Sequence, residues 1–329
     1  MKTDTVVTSE SLELPIDNNT ENTVSPETTA ADNAERPKIK KRRRRLGDRG
    51  DGRRVRGISP MTRVACYIME DRTGASNRIR DYIEVSALEK YVREKRAEGM
   101  KNFTMMHAII AAYVRVVSQM PALNRFIAGH NIFSRNNIEV ALTIKKEMSL
   151  ESPDTVVKIF PEHGMTASDV YALMQKEIDD YRNSPGGAFD DTAKVLNYFP
   201  GFLMLWAIRL LRGLDYIGLL PKFLTKLSPF HCSMFITSMG SLGIPPIYHH
   251  LYDFGNCPVF IAFGAKERKY EVNAKGEVEK KEYVGYTVMM DERICDGFYF
   301  AAALKKLRRL LRDPWQLDVP PEDVAEDID

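Results

Sequence analysis

Cysteine is scarce in this sequence: Cys66, Cys232, Cys257 and Cys295 are the four among 329 residues, and no two stand in a CxxC spacing. Such scattered thiols exclude a dense disulfide framework and argue against a structural zinc site, whose ligands come in close-set pairs. Long apolar runs are scarce too. In the most apolar segment the longest uncharged run, Val195–Ile208, has 14 residues, short of the roughly 20 that a membrane-spanning helix requires. The opening MKTDTVVTSESLELPIDNN has no apolar centre of the secretory kind, so a cytoplasmic protein is expected. Nor is there an excess of one charge: 47 basic against 45 acidic residues leave +2, and bulk charge gives no sign of a nucleic-acid binder.

What is present is distributed unevenly. Residues 1–35 carry eight acidic residues and almost no periodic apolar signal, so they cannot offset the entropy of ordering. Arg36 to Arg56 then holds twelve Lys and Arg, including the run KIKKRRRR. Residues 1–57 are therefore expected to form a disordered tail, acidic and then basic, with ordered structure from about Ile58. An anionic partner or membrane surface for residues 36–56 is one expectation, which would make the protein peripheral at a membrane; a solvated linker is the other. Without interleaved aromatics to stack on bases, sequence-specific nucleic-acid recognition is not expected.

From Ile58 onward the 44% apolar content resolves into periodic segments. ISPMTRVACYIME reads as a Ser-Pro helix start, and further helices are predicted at Ser86 to Ala97, Thr104 to Met120, Thr166 to Tyr181 and Tyr299 to Leu311. Strand patterns separate them at IEVALTIK from Ile138, CSMFITS from Cys232, PVFIAFGA from Pro258 and EYVGYTVMM from Glu282. Strands interspersed with amphipathic helices predict an α/β arrangement, a mixed sheet covered by helices in two layers. The apolar insertion around 195–230 reads either as core helices or a hydrophobic flap, or as an interfacial helix or acyl-binding lid.

The segment YTVMMDERICDGFYFAAALKKLRRLLRDP places an extended run, an acidic turn and an amphipathic helix in succession. It resembles the signature of the dihydrolipoamide acyltransferase catalytic domain of 2-oxo acid dehydrogenase complexes and of chloramphenicol acetyltransferase, a His followed by three residues and Asp-Gly. Here Glu292 stands where that His belongs, and Arg293, Asp296 and Gly297 match the rest. Upstream, MFITSMGSLG is similar to the family's strand and glycine turn, with Thr237 at the position of the hydroxyl residue and Gly240 and Gly243 shaping the loop. The resemblance covers 58–329, more weakly between about 146 and 232. It implies a chloramphenicol acetyltransferase-like fold and a homotrimer with sites between subunits. It further implies no tightly bound cofactor and no metal, with a coenzyme A thioester or a lipoyl carrier as substrate. No lipoyl domain or subunit-binding domain is visible, so a role in such a complex would need those parts on another chain.

In such enzymes the His takes a thiol or hydroxyl proton while the hydroxyl residue steadies the oxyanion. By resemblance Glu292 is the altered base, Thr237 the oxyanion donor and Asp296 the organiser of the loop, through an arginine such as Arg63, with Gly297 allowing a tight turn. An ordinary Glu has a pKa of about 4.3 against about 6.5 for His, so as a base it is handicapped by roughly 3 kcal/mol; an apolar pocket would recover part of that. His231, His249 and His250 are weak candidates to replace the missing base. Of the adjacent pair, at most one can face a pocket if the chain is extended there. His107 and Cys295 read as core residues. Two functions follow: an acyltransferase with a carboxylate base, and a catalytically silent trimeric scaffold that keeps the fold.

Overall fold

The computed structural model describes residue 37 and residues 43–145, 154–183 and 198–328; the acidic part of the expected tail lies outside them. Among the described residues nine strands form two sheets. A small antiparallel sheet joins β1 (Gly52–Arg54), β4 (Asn131–Arg135) and β3 (Arg125–Ala128) in that order. The large one has the order β2 (Ser76–Glu84), β9 (Val278–Asp291), β8 (Val259–Val272), β7 (Met234–Ser238), β5 (Val140–Lys145) and β6 (Asp154–Ile159). It is mixed, because β7 runs parallel to both β5 and β8 while the other pairs are antiparallel.

Helices α1 (Pro60–Ile68), α2 (Ser86–Ala97), α3 (Met105–Gln119) and α4 (Ala167–Asn183) follow the predicted spans to within three residues at each end. So does the last helix, Gly297–Arg312, which is α7 once α5 (Gly201–Tyr216) and α6 (Lys222–Leu227) are counted. Local chemistry explains the starts. Ser59 Oγ accepts the amide of Thr62 at 3.1 Å ahead of Pro60, and Asp296 accepts the amide of Tyr299 at 2.8 Å, each satisfying a donor the helix cannot.

The pleat sorts the core. Met234 and Ile236, Ile261 and Phe263, and Val288 and Met290 face the helices α2, α3, α4 and α7 and belong to the main core. Their neighbours Phe235, Phe260 and Met289 point the other way, into a smaller cluster with Leu251, Cys232 and Cys257. This is the period of two expected of a strand buried on both faces. The predicted strands from Pro258 and Glu282 are longer than expected. Both run on into a charged ribbon whose far end, with Tyr270, Val272 and Val278, is exposed. Gly264 is required where the loop crosses β8, since a Cβ there would lie 2.3 Å from Pro246 Cδ.

Order starts before Ile58. Strand β1 pairs with β4, Val55 is in the core, and Arg49 is buried. The basic segment is thus partly built in, because Arg49 finds one buried and one half-buried acid that repay its desolvation. Its guanidinium meets Asp51 at 2.9 Å and Asp215 at 2.7 Å. Asp215 closes α5, and its other oxygen lies 3.3 Å from His231 Nε2. The apolar insertion is therefore tethered at one end, yet it is not a core helix. Phe202, Leu205, Trp206 and Leu210 are exposed, so this segment is not the core helix that was one expectation for it, whereas a hydrophobic flap, an interfacial helix and an acyl-binding lid all fit that exposure.

Burial opposes ionisation of Asp215, but His231 and Arg49 together outweigh it and hold the carboxyl at about 2. A carboxyl depressed in the fold contributes stability above its unfolded value of about 3.9 and loses it as pH falls through the folded one. We expect Asp215→Asn to cost about 2 kcal/mol at neutral pH. In urea titrations the gap between variant and parent should close between about pH 4 and pH 2.

Candidate active site

Strand β9 ends on Asp291, which has 0% of its surface exposed. Its amide donates to Pro258 O at 2.9 Å, and the next amide, that of Glu292, donates to Ala75 O at 2.9 Å. The chain then turns, Ile294 N to Asp291 O at 3.2 Å, and enters α7 at Asp296. Arg293 folds back on Asp291 in a two-pronged pair, Nε to Oδ1 at 2.8 Å and Nη2 to Oδ2 at 2.7 Å. Its remaining nitrogen donates to Met69 O at 2.6 Å, at the end of α1. Burial works against the charge of Arg293, but Asp291 more than offsets it and keeps the guanidinium above its ordinary pKa.

A second arginine stands behind the first. Arg72 Nε lies 3.9 Å from Asp291 Oδ2. Its other nitrogens donate to Tyr252 O at 2.9 Å and Ile127 O at 3.1 Å, while the amides of Arg72 and Thr73 donate to Asp253 Oδ1. The turn, α1, β3 and the loop at 251–253 thus meet on one buried carboxylate.

Within this frame Glu292 is exposed, its backbone held by the ladder and its side chain free to meet a ligand or another chain. Asp296 is also exposed, and its carboxylate caps α7. Arg63 is exposed on α1, and among the described residues no bond joins it to Asp296; the buried ordering pair is Asp291 with Arg293 instead. Gly297 is not in the left-handed region, and a Cβ there would meet nothing within 4 Å. The tight turn expected to require glycine at this position is absent within one chain.

Thr237 lies on β7, 7% exposed, in the row Thr237, Ala262, Thr287 across β7, β8 and β9. By the alternation it points away from the helix layer, with Phe235. Beyond it Gly240 opens a short 3₁₀ turn closed by Gly243 at φ 69°, a conformation that glycine adopts without strain. Glu292 is five residues past Thr287 along β9. At about 3.3 Å per residue and about 4.8 Å per strand, it stands roughly 19 Å from Thr237 in the same chain.

The histidines do other work. His231 is buried against Asp215 and Ser228. His249 stacks on Phe260 with ring centroids 4.2 Å apart, and burial, then the neighbouring His250, lowers its pKa. His250 is exposed and lies edge-on to Tyr252. His107 accepts the Thr104 amide at 3.0 Å, and burial drives its pKa down to about 4. Burial likewise lifts the Cys295 thiol to about 12, which makes it a poor nucleophile. Arg72 and Asp253, which lock the turn, carried no local signal in the sequence; they meet only through the fold. Among the described residues no group of His, Cys, Asp and Glu is placed to hold a metal.

No protein-family model and no curated protein matches the chain. Solved structures do. A probable dihydrolipoamide acetyltransferase from Listeria monocytogenes 4b F2365 aligns over 78% of this chain and 94% of its own, at 13% identity and a TM-score of 0.50. A truncated catalytic core of the 2-oxoacid dehydrogenase multienzyme complex from Thermoplasma acidophilum aligns over 79% and 98%, at 11% identity and 0.48. A chloramphenicol acetyltransferase aligns over 77% and 96%, at 11% and 0.44. Of these the first carries the assignment, and at its identity what it establishes is the fold: the chain shares the α/β fold of that probable dihydrolipoamide acetyltransferase.

Proposed function

We propose that the protein is an acyltransferase that moves an acyl group between a coenzyme A or lipoyl-type thioester and an acceptor thiol or hydroxyl, with Glu292 as its base. The observation that carries this reading is the contrast at the end of β9. Asp291 and Arg293 are locked in a buried pair and the Asp296 carboxylate is engaged as the cap of α7, whereas the Glu292 carboxylate projects outward from a backbone fixed on both sides. An unengaged carboxylate carried on a fixed backbone position is what proton transfer requires.

The distance to Thr237 decides the rest of the arrangement. Groups roughly 19 Å apart cannot act on one carbonyl, so the reading requires Glu292 of one copy to meet Thr237 of the next, in a closed trimer. Among the described residues nothing hydrogen-bonds the Thr237 hydroxyl, which leaves it available as a donor. In thiol-to-thiol transfer the carboxylate takes the proton of the attacking thiol, and the sulfur bonds to the acyl carbon. The tetrahedral oxyanion accepts a hydrogen bond from Thr237, and its collapse expels the leaving thiolate, which recovers the proton from Glu292.

The scaffold reading has one observation in its favour, the carboxylate in place of an imidazole. Two outcomes separate the readings. In assays of thiol release from acyl-coenzyme A thioesters, Glu292→Gln should lower turnover at least about 100-fold while leaving the unfolding midpoint in place. Glu292→His, with its base nearer neutrality, should raise turnover about tenfold or more. Turnover indifferent to Glu292→Gln would remove the base assignment. Coenzyme A binding with no turnover in parent or His variant would favour the scaffold.

A further inference from the structure

Helix α5 is oriented as if something were missing. Its inward stripe, Met204, Ile208, Leu211 and Asp215, is partly or fully buried, so the orientation of the helix is fixed. The stripe opposite is just as apolar and faces out: Phe202 is 64% exposed, Trp206 65% and Leu210 64%. Folding leaves few such contiguous apolar surfaces open on a protein that has no use for them.

Charge says what covers it. From Tyr198 to Leu227 the charged residues are Arg209, Arg212, Asp215, Lys222 and Lys226. The single acid is the buried one, paired with Arg49 and His231, while all four cations are exposed. The Arg209 guanidinium sits 6.0 Å over the Trp206 ring, an apolar stem with its charge at the rim. Further cations are tethered near the end of the helix. Arg49 is bound to the end of α5 and Gly50 lies close to Lys222, and the exposed Arg43, Arg44 and Arg45 stand four to six residues from that attachment.

A protein partner is a poorer match. A two-fold contact of this face with itself would set cations against cations, and a heterologous contact would need an acidic apolar patch elsewhere on the chain. A bilayer carrying anionic headgroups offers both complements at once, acyl chains and phosphates. At 16 residues α5 is about 24 Å long, and no described helix is long and apolar enough to cross a membrane. A helix of this kind lies in the plane of the interface.

We propose that α5, with Arg209, Arg212, Lys222, Lys226 and the tethered residues 43–45, is a docking face for anionic lipid bilayers, in which Phe202, Trp206 and Leu210 enter the acyl region and the cations meet headgroup phosphates. This does not rest on the acyl-transfer reading, and its test has no catalytic readout.

The chain has two tryptophans, so Trp315→Phe leaves Trp206 as the sole reporter. The full chain should co-sediment with vesicles of equal parts phosphatidylcholine and phosphatidylglycerol, with a blue shift of Trp206 emission, and not with phosphatidylcholine alone. Added salt should release it. The double change Arg209→Glu and Arg212→Glu should weaken partitioning at least about tenfold, and Trp206→Ser with Leu210→Ser should weaken it comparably; all four side chains are exposed, so folding is retained. Equal binding to neutral vesicles, or no binding to anionic ones, overturns the proposal. So does Trp206 emission that is blue-shifted without lipid and moves red on dilution, which would assign the face to contact between copies of the chain.

Discussion

The candidate site hangs on one carboxylate with no exposed surface. Asp291 is paired through two oxygens with Arg293 and backed by Arg72, and those two arginines also donate to backbone carbonyls of Met69, Ile127 and Tyr252. Residues distant in sequence, the end of α1, β3 and the loop before Asn256, are thereby fixed against the end of β9. A buried pair of this kind adds little net stability over an apolar substitute, but losing one partner costs about 3–5 kcal/mol. Its value here is geometric: it sets the direction in which the following residue points.

That residue is Glu292. Its backbone is held by the amide ladder on one side and by the turn into α7 on the other, and its side chain is exposed. The strand order then separates it from Thr237 by one intervening strand and five residues of rise. The same sheet that forms the core therefore keeps the two proposed catalytic groups apart in a single chain. An active protein must bring them together between chains.

Much of this was legible in the sequence. Helical periodicity and the Ser59 and Asp296 starts located α1, α2, α3, α4 and α7, and apolar runs located β5, β7, β8 and β9. The motif around Asp296 pointed to the fold that the structural likeness bears out. Three things were not legible, for physical reasons. Residues 49–57 read as a flexible basic linker because nothing local marks Arg49 as buried; its partner Asp215 is 166 residues away. The exposed side of α5 could not be told from a core side, since both of its stripes are apolar. Asp253 and Arg72 look like ordinary loop charges until the fold brings them together. Conversely, the expected bond between Arg63 and Asp296 came from resemblance alone and is not formed within the chain.

The most direct test of the shared-site account is subunit complementation. Glu292→Gln and Thr237→Val variants, each inactive in thiol release alone, are unfolded together and refolded as mixed oligomers. If each site takes Glu292 from one copy and Thr237 from its neighbour, mixed oligomers regain part of the parent's turnover, because some interfaces pair two intact residues. Mixed oligomers that form but remain as inactive as the separate variants would contradict the account.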